Sequence, residues 1–299
     1  MVGLGNMSIA HLHYNMDEDL VEAFTRLDVQ ASSYVARRAP AITRQPVFDS
    51  SSVFVEVNNA EEHLYQELNC VWSFLRNTAE DYRYREANLI PLDVLAQAQS
   101  IQSRLRQWET AFMPFWAVYQ SETSEGAHQA KLLRIYHDTA TVLMADALHP
   151  VEVVFDAFDD TFRRIVLLSE ELLRKKFAGS SANTFSIEMG IVYPLYLTAV
   201  KCRIVDLRAK AIQLLLSVPQ PEGIWDGRVM AKIAEQVKQI EEEGLHATFL
   251  NVHRVPEFRR VHAIGIDIDA KARTAEFSCK LRPNGPDGEW EERKHFVRW

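Results

Sequence analysis

Cysteine is scarce in this chain. Only Cys70, Cys202 and Cys279 occur in 299 residues, each alone in its neighbourhood, so no C-x2-C pair opens a zinc site and no disulfide framework can be read. Three lone thiols fit a reducing compartment, with burial as small apolar residues their simplest role. Positive charge is also short, with 33 Lys and Arg against 41 Asp and Glu, a formal charge of -8 and a pI near 5.7. Such a chain exerts no long-range pull on phosphate backbones. No apolar run reaches the roughly 18 residues of a membrane span, and no basic-then-apolar signal stands at the N-terminus. Residues 187–200 come closest but contain Glu188 and Thr198, so we read them as a buried core helix and expect a nuclear or cytoplasmic protein, not a secreted one. Missing too are a Gly-x-Ser-x-Gly elbow, a phosphate loop, a dinucleotide fingerprint and any fixed-period repeat.

What is present is enough apolar material, 47% of residues, for a sizeable core. The chain punctuates itself into helices. Leu20, Phe24, Leu27 and Ala31 share helical spacing, and Arg37, Arg38 and Pro40 mark a helix end. A second helix carries Leu64, Leu68, Val71, Trp72 and Leu75 on one face. A long third over 91–120 turns Leu95, Ala98, Ile101, Leu105, Trp108 and Phe112 inward, with Pro114 expected to kink or break it. Further helices are predicted over 126–148, 151–177, the segment after 185, 205–218 and 224–243. After Pro256 the period changes to two. Three short antiparallel strands would bury Ile264, Ile266, Ile268, Phe277, Cys279 and Phe296. The expected fold class is therefore mainly α, a multi-helix domain with a small C-terminal antiparallel β segment. It divides into a mobile N-terminal segment over 1–16, a helical body over 17–255 and a β segment over 256–299 packed on the last helices.

Residues 185–244 hold an unusual order. Pro194 lies inside an apolar run, Lys201, Cys202 and Arg203 end it, and Glu222, Gly223 and Trp225 follow one helix later. This order resembles the C-terminal regulatory region of fungal zinc-cluster transcription factors. The resemblance extends to Phe24, Arg26, Leu27, Asp28 and Gln30, to residues 105–112 and 158–173, and to Val255, Pro256, Glu257, Arg259, Arg260 and Val261. Ile204 and Val205 stand where that family commonly has aspartate-proline. The family's six-cysteine DNA-binding module has no counterpart among these three cysteines. The resemblance implies transcription control, with a small-molecule effector or the transcription machinery as partner, homo- or hetero-oligomers, and no cofactor.

Other residues allow a different chemistry. Asp156, Asp159 and Asp160 fall at i, i+3 and i+4, one acidic helix face of the kind that holds magnesium and a diphosphate in all-α terpene cyclases. The alternative function is thus a magnesium-dependent enzyme of secondary metabolism on a repurposed scaffold. No second ligand set is spaced to complete it, so we read these aspartates as helix-start carboxylates. Cys202 reads as buried, although Lys201 and Arg203 beside it could activate a redox thiol. Trp225 reads as a core anchor after a glycine turn, with a ligand-wall role second. The histidines do not repeat at metal spacing, and Glu241, Glu242 and Glu243 read as a solvated face.

We therefore expect a regulatory or ligand-sensing module of a relative that lacks the DNA-binding end, with an enzyme or a dimerisation subunit that titrates an intact factor as the other classes. Acidic charge without a zinc module leaves neither base readout nor phosphate neutralisation. In a gel-shift titration at physiological salt the purified chain should show no sequence-selective DNA binding; a selective shift at nanomolar protein would contradict this.

Overall fold

The structure, a computed structural model, describes residues 18–33, 39–41, 53–121, 124–178, 190–223, 225–246, 249, 254–269, 271–285 and 287–299. The expected N-terminal segment over 1–16, the helix end near Arg37 and Ile224 lie outside them. Eight helices precede a small sheet among the described residues. The first two are α1 (Glu18–Ser33) and α2 (Val57–Phe74), the latter prolonged by a π turn, Leu75–Ala79, and a last turn, Glu80–Tyr82. There follow α3 (Leu92–Tyr119), α4 (Glu125–Asp146), a 3₁₀ segment (Glu152–Phe158), α5 (Asp159–Ala178), α6 (Val192–Lys201), α7 (Val205–Ser217) and α8 (Gly227–Glu242). None of these is long and apolar enough to cross a membrane.

The stripes read from the sequence build the core. Leu64, Leu68, Val71 and Trp72 of α2 are buried, as are Ala98, Ile101, Leu105, Trp108 and Phe112 of α3. Trp108 stacks on Phe112 and His137 and donates its indole N–H to the Ala60 carbonyl at 2.9 Å, joining α2, α3 and α4. Ser124 caps α4 by accepting from the Ala127 amide. The α6 helix packs against α4, α5, α7 and α8, and all ten of its residues are buried.

Four expectations are corrected. Phe24 and Leu27 are exposed, whereas Thr25, Asp28, Val29 and Ser32 face inward, because α1 docks through a polar face that hydrogen-bonds across to other elements. Leu95 is also exposed, at the outer end of its stripe. Of the kink or break expected at Pro114, the break does not occur, since α3 continues through the proline to Tyr119. The segment from 151 is not one helix: it starts as 3₁₀ and becomes α only at Asp159.

The sheet has the order β1 (Ala263–Asp269), β2 (Thr274–Leu281) and β3 (Glu291–Arg298), all antiparallel. Ala275, Phe277, Cys279 and Leu281 of β2 point into the core, and Ile268, Ile266 and Ile264 pair with the first three. Register decides the one miss. Ala275 pairs with Val297, so Val297 faces inward and Phe296, opposite Glu276, is turned out with 72% of its surface exposed.

Candidate functional site

Pro194, Cys202, Arg203, Glu222, Gly223 and Trp225 meet around the two ends of α6. At its start, Pro194 lies in the first turn, where a missing N–H costs nothing. The Glu222 carboxylate accepts from the Val192 amide at 2.7 Å and so satisfies a free N–H of that turn. Gly190 makes room for it: a Cβ there would fall 1.9 Å from Glu222 Cδ. Glu222 and Trp225 pair backbone to backbone at 2.9 and 3.0 Å around Gly223, whose φ of +58° favours glycine. Trp225 is 2% exposed. Its ring meets Tyr193 and Tyr196 of α6, and its N–H donates to Ser33 Oγ at 3.1 Å. The indole thus anchors α6 to α1. Asp226 then caps α8 by accepting from the Arg228 and Val229 amides.

At the other end of α6 lies a buried ionic cluster. Glu152 is fully buried and accepts from Lys201 Nζ through both oxygens at 2.7 Å and from Arg203 at 3.3 Å. Arg203 also donates to Glu241 at 2.7 Å, and Arg208 Nη1 lies 2.8 Å from that carboxylate. The Val261 amide donates to Glu241 as well, which ties the strand segment to α8. Burial alone pushes the Glu241 pKa up, but Arg203 and Arg208 outweigh it and hold the group at about 2. Burial draws the Lys201 pKa down, with Glu152 opposing. Glu241 therefore does not belong to a solvated face. It falls four residues after Val237 on the apolar stripe of α8, a position that could have revealed it. Cys202 is buried and its thiol is pushed up by that burial, because Lys201 and Arg203 turn to Glu152 instead of to sulfur.

The three aspartates are separated by the 3₁₀-to-α change. Asp156 receives Arg260 through two bonds of 2.8 Å and Arg254 at 3.3 Å; Asp159 receives Arg254. Asp160 is exposed beside Arg163 and Arg164. Among the described residues no group of three or more His, Cys, Asp or Glu is arranged to hold a metal.

Among the described residues, a cleft of about 680 Å³ lies between the end of α2, α6 and β1, within the usual range for ligand sites. Trp72, Tyr84, Tyr193, Tyr196, Trp225 and Trp290 line it. Leu75, Arg76 and Ala79 from the π turn form one wall, where the wider helix geometry displaces side chains from their usual rows. Tyr84 holds a φ of +71° at the rim, pinned by its hydroxyl to the His262 carbonyl at 2.9 Å and by its ring to Trp290. The Tyr196 hydroxyl is buried and has no hydrogen-bond partner among the described residues. Lys201 belongs both to this cleft and to the ionic cluster.

Two outcomes follow from this geometry. Trp225→Ala should destabilise the chain by about 3 to 5 kcal/mol, visible as early thermal melting; an unchanged melting temperature would contradict the anchoring role. Glu241 has a folded pKa depressed from 4.5 to about 2, so its stabilisation, about 3 kcal/mol, is complete above the unfolded pKa and is lost as pH falls through that window. Denaturant titrations between neutral pH and pH about 2 should show stability declining, with a flatter decline in Glu241→Gln; equal slopes would remove Glu241 as the cause.

No protein-family profile matches the chain, and no solved structure matches it. Over 107 residues it is 34% identical to the Aspercryptin biosynthesis cluster-specific transcription regulator of Emericella nidulans. The match covers 34% of this chain and 18% of that protein, so the chain aligns with a small part of its curated relative. A region of this chain is thus similar to a fungal cluster-specific transcription regulator, which fits a regulatory role.

Proposed function

We propose that this chain is an effector-sensing module of a fungal transcription regulator and makes no direct contact with DNA. The observation that carries this reading is the aromatic cleft built against α6, the helix on which Pro194, Cys202, Arg203, Glu222 and Trp225 converge. A molecule in the cleft would press on Tyr193 and Tyr196 at one end and on Lys201 at the other. The first two contact Trp225, which is hydrogen-bonded to α1; the third holds Glu152 of the 3₁₀ segment and donates to the Val261 and His262 carbonyls at the entry to β1. Occupancy therefore has a mechanical route to surfaces on both sides of α6. A ligand that fits one arrangement of these contacts better than another shifts the population toward it. The similarity to a transcription regulator supports reading that shift as control of transcription. Other residues of the intact regulator, or a partner subunit, would supply DNA contact.

The test is a tethered reporter. Fused to an unrelated DNA-binding domain in a fungal host, the chain should change reporter output several-fold relative to that domain alone, and Tyr193→Leu, checked for a normal melting temperature, should shift the response. Reporter output matching the bare DNA-binding domain under all culture conditions, with the fusion present at a normal level, would overturn the proposal.

A further inference from the structure

The two outer strands of the sheet present very different edges. Among the described residues β1 and β3 each pair with β2 alone, so each leaves one row of backbone donors and acceptors without a strand beside it. Such a row templates a further strand unless charge, proline or a cover blocks it. Along β3 every residue but Phe296 and Val297 is ionisable. Arg293 pairs with Glu291, Lys294 reaches Glu276, and Lys232 of α8 donates to the Arg298 carbonyl. That edge is guarded. The β1 strand, Ala263–Asp269, has no proline, no lysine and no charge on its inward face.

Three observations define what the β1 edge accepts. On the inward face, α8 packs against β2 and β3, and the cover thins toward β1. Ala275, Phe277 and Cys279 are at most 1% exposed, whereas Ile268, Ile266 and Ile264 opposite them are only partly buried. A strand with apolar side chains beside these isoleucines would complete the cover. On the outward face, Gly265, Asp267 and Asp269 are exposed, and no cation lies among residues 263–269. One Asp269 oxygen accepts from the Lys271 and Ala272 amides, while the Asp267 carboxylate has no partner among the described residues. Glu276, opposite Asp267, already has Lys294 at 3.5 Å. The outward side of the edge is therefore acidic. Finally, there is room. Inward-facing Ile264 and Ile266 and outward-facing Ala263 and Gly265 all line the cleft, so the cleft wraps the first half of the edge.

We propose that β1 accepts a fourth strand from a partner protein, an extended segment in which apolar and basic residues alternate. Its apolar side chains lie beside Ile264, Ile266 and Ile268, and its lysines or arginines lie beside Asp267 and Asp269. In this mode main-chain hydrogen bonds supply affinity and the alternation supplies specificity. Opposite charges on adjacent strands attract and like charges repel, and the chain's formal charge of -8 draws a basic segment in. A second copy of this chain is a poorer occupant, because its own β1 brings two more aspartates and no cation. The inference needs only the sheet edge and stands apart from the effector reading, which the reporter assay tests separately.

Three dye-labelled heptapeptides with blocked termini test it: TKVKVKT, TEVEVET, and TKVKVKT methylated at every internal backbone nitrogen. Each is titrated into the full chain by fluorescence anisotropy at physiological salt, with hydrogen exchange followed over residues 263–269. The basic peptide should bind at least about tenfold more tightly than the acidic one and slow exchange in β1; the methylated form, which keeps the side chains and loses the ladder donors, should not bind. Asp267→Lys, an exposed change opposite Glu276, should leave the melting temperature unchanged, weaken the basic peptide by about five- to tenfold and strengthen the acidic one. Undiminished binding of the methylated peptide would overturn strand addition. Equal binding of the basic and acidic peptides, or an unaltered ranking in Asp267→Lys, would overturn the assigned chemistry. No binding by any of the three up to about 1 mM would overturn the site. A dimer in sedimentation that protects the same β1 amides would give the edge to a second copy and overturn the assigned partner.

Discussion

Two carboxylates with no access to water, Glu152 and Glu241, organise the lower half of this molecule. Each is fully buried and is met by cations from α6, α7 and the turn between them: Lys201 and Arg203 for Glu152, Arg203 and Arg208 for Glu241. Coulomb attraction inside the protein is strong enough to reverse the desolvation penalty for Glu241. Removing a single partner would leave a charge stranded in the core, so the 3₁₀ segment, α6, α7, α8 and the entry to β1 are locked to one mutual arrangement. Glu257 extends the lock by accepting from the Glu152 and Val153 amides while lying against His262.

The opposite end of α6 is secured by different physics. There a carboxylate caps the helix, a glycine with positive φ turns the chain, and an indole fills the space between α6 and α1. The helix between these two anchors is ten residues long, about 15 Å, and one side of it forms a wall of the aromatic cleft.

Much of this was legible in the chain as a string of residues. Helical spacing placed α2, α3 and α8, period-two alternation placed the sheet, and the order Pro194, Lys201-Cys202-Arg203, Glu222-Gly223-x-Trp225 falls on the two ends of α6. The errors have physical causes. Phe24 and Leu27 look like a buried stripe, but α1 docks through hydroxyls and amides whose partners lie far away in sequence, such as Gln30 with the Glu222 carbonyl and Ser33 with Trp225. Phe296 looks inward, but strand register inverts the faces with a shift of one residue. Glu241 looks solvated within a glutamate run, although its four-residue spacing from Val237 puts it on the buried stripe.

The sequence by itself determined the helical body and the C-terminal strands, because these follow from local periodicity, turn chemistry and composition, and it singled out Pro194, Cys202, Arg203, Glu222 and Trp225 by their unusual order. Tertiary structure alone decided what those residues do. Whether Lys201 and Arg203 activate Cys202 or meet Glu152, whether Asp156 and Asp159 stand free or meet Arg254 and Arg260, and whether six aromatic side chains fill a core or line a cleft all depend on groups far apart in the chain, 49 to 104 positions for the ion pairs and further for several of the rings. Charges and ring faces act over a few ångströms of space, and distance along the sequence carries no record of that proximity.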